Sequence, residues 1–299
     1  MPKCFDTDLS IENGHPKHAM VLLRTTKFGM THVLYIQNLL HFSTNLSPMK
    51  APRLILVCLL FLKIATLQAQ TPQDRLYELR TYYATEGKLD ALLDRFKNHT
   101  LKLFKKHHIQ VEGFWVPVDN TESKLTYLLS FPNKAAKEAY SKAFMEDKAW
   151  KKVVAETTKE GEIIAKMESV DLKMTNFSPY DWKNVGNRVF ELRVYKATPN
   201  NLGNLLDRFK NHTIELLEKH GIHNLIYWTP TESSQGAEDM LYYFVVHKDK
   251  ASGLASFKEF DADPAWKKVK AETEAKAGGL LTVYLKSEYL MPTDFSPIK

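Results

Sequence analysis

The nine residues Leu92-Leu93-Asp94-Arg95-Phe96-Lys97-Asn98-His99-Thr100 recur without a change at Leu205 to Thr213. A copy of that length makes the chain a tandem repeat, and each repeat one folding unit. The offset of 113 also lays Tyr77-Glu78-Leu79-Arg80 on Phe190-Glu191-Leu192-Arg193, and Trp115 and Pro117 on Trp228 and Pro230. Further on the offset is 116, where Ala149-Trp150-Lys151-Lys152-Val153 meets Ala265-Trp266-Lys267-Lys268-Val269, so the second copy carries a three-residue insertion in the loop between.

Ahead of the repeats, Met49-Lys50-Ala51-Pro52-Arg53 is followed by the apolar run Leu54 to Leu62 and a short polar stretch ending at Leu67-Gln68-Ala69. That is the three-part pattern of a secretory signal peptide, residues 49–69. The run is about half the ~20 residues that a membrane-crossing helix needs, so contact with the membrane is expected only during export. Residues 1–48 show no period of 2 or 3.6, and read as a mis-called start or a disordered extension. Residues 1–69 contain seven of the 41 basic and three of the 35 acidic residues, so without them the net charge falls from +6 to +2. Nucleic-acid binding then has no support from charge. Both cysteines, Cys4 and Cys58, lie in the same stretch, which leaves the repeats without a disulfide, a thiolate nucleophile or a thiolate metal site.

Within one repeat, Tyr77 to Tyr83 reads as a strand with Tyr77, Leu79 and Thr81 on one face and Glu78, Arg80 and Tyr82 on the other. A helix over 86–107 follows, with Leu89, Leu92, Leu93, Phe96, Thr100, Leu103, Phe104 and His107 in one stripe and His99 at its edge. Two strands, a second helix broken at Asp147 and a closing strand complete the order βαββαβ, a ferredoxin-like split unit. The second copy repeats it, with Asp263-Pro264 at the helix break. A sheet with helices on one face has to bury the other. Two tandem units can do so by laying their bare faces together as an intramolecular barrel, α+β in class. The domains expected are 75–179 and 189–299, with 180–188 as linker. The face bearing Glu78, Arg80, Tyr82, Glu191, Arg193 and Tyr195 is expected inside that barrel. Its charges would serve either to orient a ligand or as an ion-pair ring holding the two sheets in register. Trp115, Tyr127, Trp228 and Tyr243 on the strands are expected to line an apolar ligand pocket or to pack. His99 and His212 are the candidate catalytic residues, as a general base or a core-edge histidine; His107 and His220 read as structural. No phosphate-binding glycine loop, nucleophile elbow or metal-ligand spacing is present, so no metal or other cofactor is expected.

Tyr77-Glu78-Leu79-Arg80-Thr81-Tyr82, then Arg95-Phe96-Lys97-Asn98-His99-Thr100 with Leu103-Phe104-Lys105-Lys106-His107, then Trp115 and Leu125-Thr126-Tyr127-Leu128-Leu129, resemble the NIPSNAP family. The second copy matches at the same positions, including Lys219-His220-Gly221-Ile222 and Tyr227-Trp228. The resemblance implies the dimeric α/β-barrel superfamily, whose members include haem-binding, haem-degrading and cofactor-free oxygenases; fold alone does not choose among them. The expectation is an exported protein, periplasmic or secreted and bacterial, that binds a small, partly apolar ligand in the barrel. The alternatives are a cofactor-independent or haem-dependent oxygenase or isomerase using His99 or His212 with a barrel-lining acid, and a protein-interaction module. A monomer with an internal pseudo-dimer and a homo-oligomer both fit the repeat.

Overall fold

The computed structural model describes residues 71–180, 186 and 188–299, and a two-stranded hairpin of Thr25–Lys27 with Met30–His32. The expected signal peptide, 49–69, and most of 1–48 and of the linker lie outside the described residues.

Each repeat forms four strands: β1 (Leu76–Ala84), β2 (Gln110–Pro117), β3 (Lys124–Phe131) and β4 (Ile164–Met174), then β5 (Val189–Ala197), β6 (His223–Pro230), β7 (Met240–His247) and β8 (Thr282–Pro292). All eight close into one antiparallel barrel in the order β8-β2-β3-β1-β4-β6-β7-β5. The seams between repeats are equivalent. Met174 pairs with Trp228 where β4 meets β6, and Pro292 pairs with Trp115 where β8 meets β2. Closure leaves no free sheet edge, and it joins the repeats covalently and through the sheet.

The helices lie outside: α1 (residues 89–106), α2 (Lys134–Glu146), α3 (Lys148–Thr157), α4 (residues 202–219), α5 (Lys250–Ala262) and α6 (Pro264–Lys276). Asp147 ends α2 and caps α3, accepting from the Ala149 amide at 2.8 Å; Asp263 does the same for α6 with the Ala265 amide. His107 and His220 bond these caps, Nε2 to Oδ2 at 2.7 and 2.8 Å. These are the structural histidines expected.

The long helices differ from expectation in one respect. Phe96–Thr100 and Phe209–Thr213 are π-helical turns, at the same place in both copies. A turn bonded i→i+5 is wider than an α turn, so the residue four after Phe96 follows it onto the buried face and the residue three after is carried outward. Thr100 and Thr213 are accordingly buried, while His99 and His212 are exposed. The hydroxyls of Thr100 and Thr213 donate to the carbonyls of Arg95 and Arg208 at 3.1 and 3.2 Å, satisfying groups at the edge of the wide turn.

Three apolar clusters result. One fills the barrel with residues of both repeats, among them Tyr77, Leu79, Trp115, Phe190, Leu192, Trp228 and Phe244. The others lie between sheet and helices, one per repeat, around Phe96, Phe104, Tyr127 and Phe144 and around Phe209, Leu217, Tyr243 and Phe260. The strand faces are therefore reversed from the expectation. The barrel interior is enclosed by sheet on every side and takes the hydrocarbon and indole groups. Glu78, Arg80, Tyr82, Glu191, Arg193 and Tyr195 point outward beneath the helices, where side chains on those helices can pair with them.

Candidate functional site

The outward face of repeat 1 forms one wall of a cavity of about 310 Å³ between the sheet and α1, α2 and α3. Its floor is Glu78, Arg80, Tyr82 and Tyr127; its walls are Phe96, Phe104, Ile109, Phe144, Trp150 and Ile164; Arg95 of α1 and Ser141 of α2 also line it. Met145 and Met167, both more than half exposed, stand where it meets solvent. Mostly apolar walls with a few convergent polar groups are the usual make-up of a small-molecule site.

On the floor, Arg80 pairs with Glu78: Nη2 donates to Oε2 at 3.0 Å, and Nε lies 2.9 Å from Oε1 as an ion pair without a hydrogen bond. Alternation on β1 makes this possible, since residues two apart share a face. Lys137 of α2 reaches Glu78 at 3.0 Å and also holds Asp171 of β4. Burial works against the Arg80 charge, but Tyr127 and Glu78 outweigh it and hold the guanidinium above its usual value. Across the ladder from Arg80 stands Tyr127, fully buried, its hydroxyl close to Tyr82 and Arg80 but without a well-formed hydrogen bond to either. Burial pushes that phenol well up, so it is a donor.

Arg95 is different. It is 5% exposed, its Nε has no hydrogen-bond partner, and no carboxylate lies within ion-pair distance among the described residues. Its neighbour is the Trp150 ring, 5.6 Å from the guanidinium carbon. Burial pulls this guanidinium below its ordinary value, against the opposing pull of Tyr82, Tyr127 and Glu162.

The same positions in repeat 2 are closed by their own side chains. Arg193 donates to the Tyr243 hydroxyl at 2.9 Å, the Tyr195 hydroxyl at 3.1 Å and Glu191 at 2.5 Å. His247 completes Glu191 at 2.8 Å. Burial raises the Glu191 pKa, but His247 and Arg193 outweigh burial and hold it below the usual value. Arg208, the counterpart of Arg95, has Glu274 at 3.5 Å, an ion pair without a hydrogen bond from Nη1, and burial pulls its guanidinium too below its ordinary value, against the opposing pull of Glu274. Phe257, the counterpart of Ser141, lies against Arg193, ring centre to guanidinium carbon 3.9 Å. At the matching places repeat 1 has Phe131 for His247, Thr158 for Glu274 and Ser141 for Phe257.

Of the residues singled out in the sequence, the cavity gathers Glu78, Arg80, Tyr82 and Tyr127. Glu191, Arg193, Tyr195 and Tyr243 form the filled counterpart. No ion-pair ring spans the sheets, because each pair stays within its repeat. Trp115 and Trp228 lie in neither place. They plug the barrel, Trp115 against Phe190 and Phe244 at 5.4 and 5.1 Å, and Trp228 against Tyr77 at 5.8 Å. His99 and His212 are outside the cavity on the solvent side of the π turns. Arg95, Ser141 and Trp150 line the site without having been singled out as ligand contacts; the signal for Arg95 was a charge inside the nine-residue copy, and for Ser141 its mismatch with Phe257. A second hollow, about 210 Å³, opens at one end of the barrel beside Thr81, Tyr83, Tyr242 and the Lys124–Glu288 pair, 2.6 Å apart.

Two copies of a βαββαβ unit closed face to face into one eight-stranded barrel, with helices on its outside, define a tandem dimeric α/β-barrel protein. The NIPSNAP family model matches residues 77–179 and again 190–297, and the chain belongs to the NIPSNAP family. Among solved structures it is similar to an uncharacterized NIPSNAP domain protein from Burkholderia xenovorans, at 21% identity over 35% of this chain and 98% of that one, TM-score 0.31. It is also similar to a NIPSNAP family protein with unknown function from Agrobacterium tumefaciens, at 20% identity over 36% and 94%, TM-score 0.33. An anthrone oxidase-like protein aligns over 74% of this chain and 92% of its own, at 12% identity and TM-score 0.48. No curated protein matches the chain.

Proposed function

We propose that this chain is an exported binding protein for a small, partly apolar molecule, held under the helices of repeat 1. The observation that carries the reading is the cavity of about 310 Å³, walled by aromatic rings over a polar floor, in the one repeat where Ser141 replaces a phenyl ring. The barrel interior, expected to take the ligand, is plugged around Trp115 and Trp228 and keeps the smaller hollow of about 210 Å³ at one end. Repeat 2 keeps the same framework and spends its polar groups on one another, which suits a structural partner to a single site. An enzyme built on His99 or His212 gains no support, since both rings lie away from the cavity.

Native mass spectrometry with absorbance, on protein purified from its source and on the Ser141→Phe variant, tests the reading. An added mass on the wild type that the variant loses is the expected result; an added mass retained by the variant, or a wild type without one that also takes up no apolar probe, overturns it. Export predicts that protein recovered from outside the cytoplasm begins near Gln70; a mature chain that retains residues 49–69 contradicts it.

A further inference from the structure

We infer that the ligand of the repeat 1 cavity is a carboxylic acid with an apolar body, its carboxylate held by Arg95 and the Tyr127 hydroxyl; the inference rests on the function proposed above. The two repeats supply the argument. Around the repeat 1 cavity stand three cations, Arg80, Arg95 and Lys137, and two anions, Glu78 and Asp171. Glu78 is taken by Arg80 and Lys137, and Asp171 by Lys137, which leaves Arg95 with no anion within ion-pair distance among the described residues. Glu162, the carboxylate that still acts on Arg95, is exposed and beyond that distance. At the equivalent place in repeat 2 the chain itself supplies the anion, Glu274, and the tyrosine facing the floor arginine is bonded to it. Repeat 1 has Thr158, and a Tyr127 hydroxyl that lies near Arg80 without a well-formed hydrogen bond to it.

A buried guanidinium without a counter-charge is destabilising, and a ligand that brings the charge relieves it. The surplus is a single positive charge, which a monoanion neutralises; a dianion would leave one negative charge buried. Of the remaining walls, Phe96, Phe104, Phe144 and Ile164 offer no hydrogen bonds from side chains and Trp150 only its indole N–H, so the body of the ligand is largely apolar. The carboxylate would accept from Arg95 and from Tyr127, which burial keeps protonated.

Titration calorimetry on the full chain with 2-naphthoate, 2-naphthamide, octanoate and octanamide tests this. At least one acid is expected to bind with one site per chain and at least tenfold more tightly than its amide. Arg95→Gln should bring acid and amide to within about threefold of each other, and Ser141→Phe should abolish both. If amide and acid bind the wild type equally, the anion reading fails while the cavity reading stands. If none of the four binds, both readings fail. An acid preference that survives in a folded Arg95→Gln places the anion elsewhere and overturns the inference. The acid and amide comparison on wild type decides the matter even if Arg95→Gln does not fold.

Discussion

The guanidinium carbon of Arg193 stands 3.9 Å from the centre of the Phe257 ring, whereas Ser141, at the matching position in repeat 1, lines an open cavity with Arg80. This exchange, with those of Phe131 for His247 and Thr158 for Glu274, separates a filled site from an open one within a duplicated framework. Phe257→Ser should open repeat 2 and lose the packing of a partly buried ring, at a cost of about 2 kcal/mol. Ser141→Phe adds a ring where space exists and should change stability by less than about 1 kcal/mol. Urea denaturation of the two variants checks the contrast, and equal effects would mean that the repeats are packed alike.

Glu78 and Glu191 are each buried against an arginine, but their other partners differ. Removing the charge of Glu78 leaves Arg80 and Lys137 facing each other, although Lys137 keeps Asp171. Removing that of Glu191 strands Arg193, 8% exposed, beside His247. Both Glu→Gln changes should destabilise, Glu191→Gln by about 3 kcal/mol and Glu78→Gln by less, since its cavity admits water. Thermal melts that leave either variant unchanged would dismiss the pairs as stabilising elements.

The repeat, the order βαββαβ, the break at Asp147 and the closure of two units into a barrel were all legible, because each depends on periodicity, capping or the need to bury a face. Which face went inside was not. Both faces of these strands are covered, one by the opposite sheet and one by helices, so polarity does not separate inside from outside as it does on a half-solvated sheet. Glu78 and Arg80 look inward by the logic of a protected site, yet their partner Lys137 comes from a helix. The exposure of His99 depends on the π turn, which shifts the helical register without any mark in the apolar spacing. The open site depends on a few scattered mismatches, Ser141 with Phe257 foremost, which gain meaning only when Arg80 and Arg193 are seen beneath them.

His99 supplies a control. It is exposed on the outer side of the π turn and has no part in the cavity. His99→Ala should alter stability by less than about 0.5 kcal/mol and leave ligand capture intact. A variant that folds but no longer retains the ligand seen on wild type would restore His99 as a functional residue. By contrast, Thr100→Val removes the hydroxyl that serves the Arg95 carbonyl at 3.1 Å and should cost about 1 kcal/mol.

Gly113 sits on β2 where a Cβ would run into the Trp115 ring and meet Ile298 at 2.7 Å. Neither neighbour can retreat easily, since Trp115 is wedged between Phe190 and Phe244 and is wholly buried. Gly113→Ala should therefore destabilise by about 1–3 kcal/mol through overpacking of the barrel plug. Calorimetric melting of this variant checks it; an unchanged melting temperature would mean that the plug is loosely packed.

Asp147 and Asp263 should dominate the response to acid. Lys106 and His107 bond the first, Lys219 and His220 the second, and the amides of Ala149 and Ala265 add to each, so both carboxyls are held far below the usual carboxylate range. A carboxyl whose pKa is depressed by folding stabilises fully above its unfolded value, near 3.9 for Asp, and progressively less as pH falls below that toward the folded value. Melting temperature should thus hold steady from pH 7 to about pH 5 on account of these two groups, then fall. Asparagine keeps the cap and loses the charge. In the Asp147→Asn, Asp263→Asn double variant the melting temperature should be lower at pH 7, and the gap from wild type should narrow as the pH drops from 4 to 2. A gap of constant size across that range would show that the carboxylates act through shape alone and not through their charge.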